Sequence, residues 1–177
     1  MTEIEIPQVV VQTWVAGRPR TKGSMNAYCS KGRDHKLIWT EQVKDSKAWR
    51  RTVAAHVQRE VRAAYGDHLK LEVPLELRCV YFFSRELEDR STDPYPTAMT
   101  VGDLDKLDRN ILDALTSSGV IKDDRFIVRI MSEKRWGPAP GVQLTLMQIP
   151  QEEYASIWQL LGHTPVVELS ETWSTDR

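Results

Sequence analysis

The residues with the clearest capacity for chemistry are six aspartates that fall within 22 positions of a 177-residue chain. They are Asp103, Asp105, Asp108, Asp113, Asp123 and Asp124. Hard divalent cations such as Mg²⁺ bind through one or two carboxylates together with water and substrate phosphates. Two or three of these acids, brought together, would therefore hold such a cation. A single aspartate at a helix start or in a turn more often serves as a structural cap.

The first of these acids lie at the entrance of a predicted helix. Leucine and isoleucine recur at spacings of three and four over residues 104–117, which predicts an amphipathic helix that ends before Gly119. On such a helix Asp105, Arg109 and Asp113 share one side, away from the apolar stripe. The sequence therefore predicts one charged helix side and one core side.

A second acidic group, the pair Asp123 and Asp124, lies in the turn that enters the next predicted strand. We expect this turn to return the pair to the end of the helix where Asp103 and Asp105 lie. Adjacent residues that enter a strand point to opposite faces, so only one of the pair would face a shared site directly.

The elements that must position these acids follow from the hydrophobic pattern. Segments rich in β-branched or alternating apolar residues predict strands, and apolar residues at helical spacing predict a first long helix closed by Gly66. The predicted strands cover residues 8–16, 75–83, 125–136 and 142–149, the long helix covers residues 40–65, and a short hairpin is expected around Tyr28 and residues 37–39. This order predicts an α/β (α+β) fold with a single mixed β-sheet and helices packed on it.

Length and pattern favour one domain with an extension. A chain of 177 residues is the usual size for one hydrophobic core, which we assign to residues 1–149. Residues 150–177 are acidic and are predicted to form an extension with a short helix and a frayed end. Residues 84–102 contain two prolines and little periodicity, so we predict a mobile loop there.

The net charge of −1 conceals a strong segregation of charge. Residues 17–62 carry twelve lysines and arginines against four carboxylates, a net charge of +8. Such a segment favours a surface that binds a polyanion, although charges of either sign also solvate helices. The cations predicted to lie along phosphates are Arg18, Arg20, Lys22, Lys44, Lys47, Arg50 and Arg51.

Several other classes of protein are disfavoured. The four histidines are scattered, and Cys29 and Cys79 form no Cys-x-x-Cys pair, so neither a zinc site nor a disulfide framework is indicated. The glycine patterns of phosphate-binding and dinucleotide-binding loops are missing. The chain has no apolar run of membrane-spanning length, and its first residues are acidic rather than typical of a signal peptide. We therefore expect a cytoplasmic protein without a membrane partner.

The segment from Gly102 to Trp136 resembles the signature of the RusA-type Holliday junction resolvases, small cellular and prophage-encoded endonucleases that cut four-way DNA junctions. The features that match are an Asp-Leu-Asp-Lys-Leu start, a Leu-Asp-Ala-Leu-Thr helix end, and an Asp-Asp turn followed by an alternating strand and a lysine. The Gly-Arg-Pro-Arg-Thr-Lys-Gly-Ser loop after the first strand also fits. The resemblance implies the RusA-like fold and a homodimer that acts on branched DNA.

The resemblance also implies roles for particular residues. The metal-binding aspartates of the family fall on Asp103, Asp105 and Asp124, with Asp123 as a neighbour that could assist. Its helix lysine falls on Arg109, which keeps the positive charge but cannot donate a proton at neutral pH. The implied cofactor is Mg²⁺, with Mn²⁺ as a substitute.

The expected function is symmetric, Mg²⁺-dependent nicking of four-way junctions in DNA recombination, repair or phage DNA processing. The resemblance implies a phage or prophage member that acts in the cytoplasm of a bacterial host. Two alternatives stay open: a Mg²⁺-dependent nuclease for flaps or other branched DNA, and a branched-DNA-binding protein without catalysis, in which the carboxylates only cap and solvate.

Overall fold

The computed structural model describes residues 8–23, 25–29, 37–41, 45–88 and 93–150. In these ranges six strands and three helices follow one another. They are β1 (Val9–Ala16), β2 (Met25–Cys29), β3 (Leu37–Glu41), α1 (Ser46–Tyr65), β4 (Leu75–Phe83), α2 (Arg85–Glu88), α3 (Leu104–Ser118), β5 (Ile127–Trp136) and β6 (Gly141–Gln148). Short 3-10 turns at Met99–Val101 and Asp124–Phe126 precede α3 and β5.

Four of the strands form one mixed sheet in the order β1-β6-β4-β5. β6 is antiparallel to both β1 and β4, whereas β4 and β5 are parallel, with Leu75 opposite Ile127 and Phe83 opposite Trp136. Parallel neighbours need a crossover connection, and α3 supplies it. The predicted α+β fold with a single mixed sheet and packed helices is confirmed.

The hydrophobic core lies between this sheet and the two long helices. α1 packs against α3 and β1, and α3 packs against β5. Alternate residues of β4 such as Leu77 and Tyr81 are fully buried, and they meet buried residues of α3 such as Ile111 and Leu115 in one core cluster. Each such aliphatic side chain contributes about 1.5–3 kcal/mol when it leaves water. The apolar stripe that predicted α3 is therefore what fixes the helix to the sheet.

The second sheet is a hairpin of β2 and β3, which confirms the hairpin expected in this region. It also shortens the first helix. We predicted that helix from residue 40, but Thr40 pairs with Asn26 in the hairpin and α1 begins at Ser46. At its other end α1 stops as predicted, because Gly66 takes a φ of 81° and donates its N–H to the Arg62 carbonyl.

The prediction of an irregular loop over residues 84–102 is wrong about the helical turns that this segment contains. Arg85–Glu88 forms a helical turn, and residues 93–101 are held by hydrogen bonds described below. Residues 89–92 lie outside the described part of the chain.

Some predictions cannot be followed into the structure. The predicted acidic extension lies outside the described residues from residue 151 onward, as does Lys44, and the predicted domain boundary stays a prediction. Among the described helices, none is long and apolar enough to cross a membrane. Cys79 is a free, buried cysteine, and burial raises the pKa of its thiol so that it stays protonated at neutral pH.

Candidate active site

Asp103 and Asp105 both lie at the start of α3, open to solvent. Asp103 occupies the N-cap position with an extended backbone, yet its side chain makes no capping hydrogen bond. It instead accepts a hydrogen bond from Lys106 Nζ at 2.6 Å, and Asp105 lies 3.4 Å from an Arg109 guanidinium nitrogen. The side chains of Asp103 and Asp105 are 63% and 60% exposed. Capping does not explain these two acids, and both carboxylates can be reached by a ligand.

Neighbouring cations keep the Asp103 carboxylate ionised. The hydrogen bond from Lys106 lowers the pKa of the Asp103 carboxyl, and the charges of Lys106 and Lys134 lower it further. In return Asp103 raises the pKa of the Lys106 ammonium, chiefly through the same hydrogen bond. Asp103 is therefore charged at neutral pH, as a metal ligand has to be.

Lys134 reaches this site from the sheet. It lies near the end of β5 and donates from Nζ to the Gly102 carbonyl at 3.0 Å, which brings its charge beside Asp103. In the sequence this lysine is part of the matching pattern, but its role there is not evident. Ser132 and Lys134 are two residues apart on β5, so their side chains lie on the same face of the sheet. This spacing is the feature of the sequence that could have placed Lys134 at the site, since Ser132 contacts Asp108 of α3 and Lys134 contacts Gly102 just before it.

A cavity of about 390 Å³ opens beside Asp103. Its walls come from four parts of the chain: the loop after β1, the loop before α3, the start of α3, and Lys134 of β5. The residues that matter below are Thr21, Thr97, Met99, Asp103, Lys106 and Lys134. The lining joins one carboxylate to two ammonium groups and two hydroxyls, so it is suited to an anionic, hydrogen-bonding ligand.

The basic loop after β1 is fastened to the same place. Lys22 donates its backbone N–H to the Lys106 carbonyl at 2.8 Å, and Arg18 donates to the Thr100 carbonyl at 3.3 Å. Gly102 has a φ of 76°, and a Cβ on it would overlap the Thr21 side chain, so this close approach requires glycine. The loop therefore borders the cavity that contains Asp103.

Several of the predicted phosphate-binding cations have partners within the protein. Lys22 and Arg50 form ion pairs with Asp113 at 2.7 and 3.3 Å, and Arg20 lies 3.6 Å from Asp45. Asp113 is thus a structural counterion that ties the loop after β1 and α1 to α3. On α1, Lys47 and Arg51 are exposed.

Buried Asn110 completes this tie. Its side chain donates to the Arg20 carbonyl at 2.7 Å and to Ser46 Oγ at 3.2 Å, and it accepts from Arg50 Nε at 3.0 Å. These bonds set the positions of the loop and both helices relative to one another. The spacing of residues along α3 places Asn110 on the helix but does not identify its partners.

Asp108 has a different environment from its neighbours. Its Oδ1 accepts from Tyr81 of β4 at 2.8 Å and from Ser132 of β5 at 2.7 Å, so it joins α3 to two strands. Partial burial raises the pKa of its carboxyl, and these two hydrogen bonds oppose the rise. The charge of Asp105 raises it a little more, which places the two acids near each other. Its position among the six aspartates does not reveal this role from the sequence alone.

Asp123 and Asp124 lie away from the first acidic pair. In a strand–helix–strand unit the crossover helix runs opposite to both strands, so its start lies at the strands' carboxyl ends and its end at their amino ends. Contacts agree, since Lys134 near the end of β5 meets Gly102, whereas Lys122 bonds the backbone of Leu71 just before β4. The expectation that the turn returns to Asp103 is wrong within a single chain.

The structure therefore places two of the predicted metal ligands, Asp103 and Asp105, at the start of α3, and the third, Asp124, in the turn before β5. Seven residues separate Ile127 from Lys134, which corresponds to about 23 Å of extended strand. Across the described residues, no group of three or more histidine, cysteine, aspartate or glutamate side chains could hold a metal ion. Asp123 accepts the backbone N–H of Arg125, and Asp124 is exposed in its 3-10 turn.

The donor set nevertheless fits a hard divalent cation. The groups available are carboxylate oxygens, which Mg²⁺ and Mn²⁺ prefer, and one or two of them suffice when water and phosphate complete the coordination. Asp103 and Asp105 meet that requirement. They lie at the carboxyl ends of the parallel strands β4 and β5, where α/β proteins commonly bind ligands.

An α+β domain that sets two exposed carboxylates among lysines and arginines, beside a cavity suited to an anion, has the features of an enzyme that cleaves phosphodiesters. The chain belongs to the RusA family: the model for endodeoxyribonuclease RusA matches residues 14–147, well over half of its length. The resemblance seen in the sequence is thereby confirmed, and the family is one of DNA-cutting endonucleases. A search of curated proteins finds no match for this chain.

Proposed function

We propose that this chain is a Mg²⁺-dependent endonuclease that nicks four-way DNA junctions symmetrically, in recombination, repair or phage DNA processing. One observation carries the proposal. Asp103 and Asp105 are exposed and free of capping bonds, and they lie among Lys106, Arg109 and Lys134. A protein that needed these acids only for helix stability would use the cap position for a cap.

The proposed metal ligands are Asp103 and Asp105, together with Asp124 and with Asp123 as an assisting neighbour. Mn²⁺ would substitute in the same oxygen site. When bound, the ion would activate the attacking water and offset charge on the scissile phosphate. Asp103 is already ionised beside Lys106, so no proton has to leave it before the ion binds.

The cations of the site would act on the DNA. Lys106 and Arg109 now pair with the carboxylates, and a phosphate arriving at the cavity offers both a stronger, multiply charged partner. Arg109 would bind phosphate oxygens through two nitrogens and stabilise negative charge in the transition state, without serving as a proton donor. Lys134, fixed by the Gly102 carbonyl, would hold the next oxygen in place.

The third ligand leads us to propose a homodimer with shared sites. Asp124 precedes β5, and about 23 Å of extended strand lies between Ile127 at its start and Lys134 near its end, so a second copy has to supply the third ligand. Among the described strands β5 is at the edge of the sheet, and three of its apolar side chains, Val128, Ile130 and Met131, are 42–54% exposed. An exposed apolar edge is a template for pairing with another strand.

Symmetry then brings the two acidic groups together. If two copies of β5 paired antiparallel around a two-fold axis near Ile130, the start of each strand would lie beside the end of the other. Asp124 of one copy would approach Asp103 and Asp105 of its partner. A dimer of this kind has two sites, which suits a junction with two equivalent strands to cut.

DNA contacts beyond the cavity would come from the basic segment. Seven cations of this segment are proposed to lie along phosphates. They are Lys47 and Arg51, which are exposed on α1, and Arg18, Arg20, Lys22, Lys44 and Arg50. The ion pairs with Asp113 and Asp45 reduce the net charge that Lys22, Arg50 and Arg20 can offer. Binding through phosphates should be strongly salt-dependent and largely independent of sequence.

A cleavage assay tests this function. The substrates are a mobile four-way junction, a flap and a linear duplex, each with Mg²⁺, Mn²⁺ or EDTA, and the proteins are the native chain and its Asp105→Asn variant. We expect paired symmetric nicks in the junction with either metal, none with EDTA and none with Asp105→Asn, which should still bind the junction.

Other outcomes would reject parts of the proposal. Equal cutting of the duplex would remove junction selectivity, and preferred cutting of the flap would favour a flap nuclease. Junction binding without metal-dependent cutting by the native chain would indicate a branched-DNA-binding protein. Retained cutting by Asp105→Asn would show that the metal ligands are assigned to the wrong residues.

A further inference from the structure

Two large side chains project into solvent from the loop before α3. Tyr95 is 69% exposed and Met99 is 99% exposed, the highest values among the large hydrophobic side chains of the described residues. A single exposed apolar residue needs no explanation. Two on one short segment beside the candidate active site form a surface, which we name the Tyr95–Met99 surface.

The backbone that carries this surface is held firmly. Asp93 accepts the backbone N–H of Tyr95 at 3.1 Å and the Thr97 hydroxyl at 2.6 Å, while its own carbonyl accepts from Trp136 Nε1 at 3.0 Å. These first two bonds also lower the pKa of the Asp93 carboxyl, so they persist at neutral pH. Arg85 stacks over the Trp136 ring at 4.8 Å and completes the anchor.

Proline restricts the presentation of Tyr95 further. Tyr95 lies between Pro94 and Pro96, and Pro96 is buried. Proline fixes its own φ and limits the residue before it, so this tripeptide has few conformations to lose when a ligand binds. Preorganisation of this kind lowers the entropic cost of a contact. The structure thus holds the backbone around Tyr95 while the Tyr95 and Met99 side chains stay exposed and available to a ligand.

The location indicates the ligand. Met99 lines the cavity together with Asp103, Lys106 and Lys134, and the adjacent Thr100 carbonyl accepts from Arg18. An apolar tip thus rises from a rim of positive charge. DNA combines these two features, with phosphates that suit the cations and base faces that suit an apolar tip.

We propose that the Tyr95–Met99 surface contacts unstacked bases at the branch point of the DNA, with Met99 as a wedge between base steps and Tyr95 as a stacking face. Apolar side chains such as methionine enter base steps in this way and open them, and aromatic rings stack on bases of any sequence. A branch point is the place where bases are most easily unstacked. This inference rests on the proposed function and adds a means of telling a junction from a duplex.

The test uses the full chain with Asp105→Asn in every protein, so that binding is measured without cutting. The DNA is a four-way junction carrying 2-aminopurine next to the exchange point, because the fluorescence of this base rises when it unstacks. Tyr95→Ala, Met99→Ala and the double change are compared with the conservative Tyr95→Phe and Met99→Leu. Val9→Ala is the matched control, since Val9 is also exposed and lies at the end of β1 remote from the basic loop.

We expect the double alanine variant to bind the junction about tenfold more weakly, as the loss of one base-stacking contact implies. Its affinity for linear duplex should change less than twofold, and the fluorescence rise should be lost. The two conservative variants and Val9→Ala should keep both the affinity and the fluorescence rise.

Three results would overturn the proposal. The first is unchanged junction affinity and fluorescence in the double variant. The second is an equal loss of affinity for junction and duplex, which would make the surface a general DNA contact. The third is loss of the dimer in light scattering, which would assign the surface to a second copy of the chain. None of these results depends on cutting, so failure of the native chain to cleave junctions would separately reject the proposed function.

Discussion

A mixture of two inactive variants gives a direct test of the shared site. Asp105→Asn removes a carboxylate at the start of α3, and Asp124→Asn removes one from the turn before β5. Each variant alone should fail to cut junctions. Within one chain Asp105 lies at the end of the sheet that Lys134 reaches, and Asp124 lies just before Ile127. About 23 Å of extended strand separates Ile127 from Lys134, whereas a ligand oxygen has to lie ~2.1 Å from Mg²⁺.

The magnitude of the rescue follows from symmetry. Random assortment of two variants makes about half of the dimers mixed. In a mixed dimer with shared sites, one site loses both carboxylates and the other keeps both. The mixture should therefore recover about a quarter of the native number of intact sites. If each site belonged to one chain, every site in the mixed dimer would lack one acid and no activity would return.

The assay is cleavage of a plasmid that extrudes a four-way junction. Paired nicks by two intact sites linearise the plasmid, and a single nick gives an open circle. Mixed dimers, isolated through two different affinity tags, should yield open circles. Dimers of native chain and Asp105→Asn, which keep one intact site in either arrangement, are the positive control. An inactive mixed dimer alongside an active control would refute the shared site.

Three further predictions concern Lys134, Asn110 and Asp108. Lys134→Ala should reduce junction cleavage in single-turnover assays by about ten- to a hundredfold, because it removes a cation aimed at the phosphate site, while Arg135→Ala, which breaks a surface pair with Glu133, should leave the rate within twofold. Equal rates for the two variants would remove Lys134 from the site. Asn110→Ala should lower the free energy of unfolding by about 2 kcal/mol and Tm by roughly 4–8 °C, because it removes a hydrogen-bond partner of the Arg20 carbonyl and the Ser46 hydroxyl. The control is Thr116→Ala, since Thr116 is exposed on the same helix. Equal Tm values for the two variants would show that the Asn110 hydrogen bonds do not stabilise the fold. Asp108→Asn should remove a pH dependence of the folding stability. Burial raises the pKa of the Asp108 carboxyl in the folded chain above its value of ~3.9 in the unfolded chain. The stability of the native chain therefore falls as the pH rises from the unfolded pKa through the folded one. Thermal melts from acid to neutral pH should show the variant gaining stability relative to the native chain, and a relative loss would refute the assignment.

The sequence predicted the elements whose pattern is local. β4 has the predicted bounds Leu75–Phe83, and α3 extends one residue past its predicted end, because in both cases burial on one side repeats with the period of the element. The errors arose where a distant partner decides the outcome. Thr40 suits a helix start, but Asn26 holds it in a hairpin. Residues 93–101 have no periodicity, yet Asp93 and Trp136 give them a fixed structure.

The candidate site shows the same limit in its acids. Asp103, Asp105, Asp108 and Asp113 are one residue type on one helix, and only their partners separate them. Asp113 faces two cations that anchor the loop after β1, and Asp108 faces two hydroxyls of the sheet. These partners come from other elements, so spacing along α3 does not reveal them. Asp103 and Asp105 differ from these two, because their ion pairs are with Lys106 and Arg109 of the same helix.

The direction of β5 has the largest consequence for function. In a strand–helix–strand unit with parallel strands, the helix starts at the carboxyl ends of the strands. The turn after the helix lies at their amino ends. Acids placed in both positions cannot meet in one chain, however close they are in sequence. If both groups are needed for cutting, a single chain is inactive and each site forms only when two chains assemble. Under the proposed function the near-neutral total charge has a physical reason, because the acidic groups would repel DNA until a second copy and a metal ion complete each site.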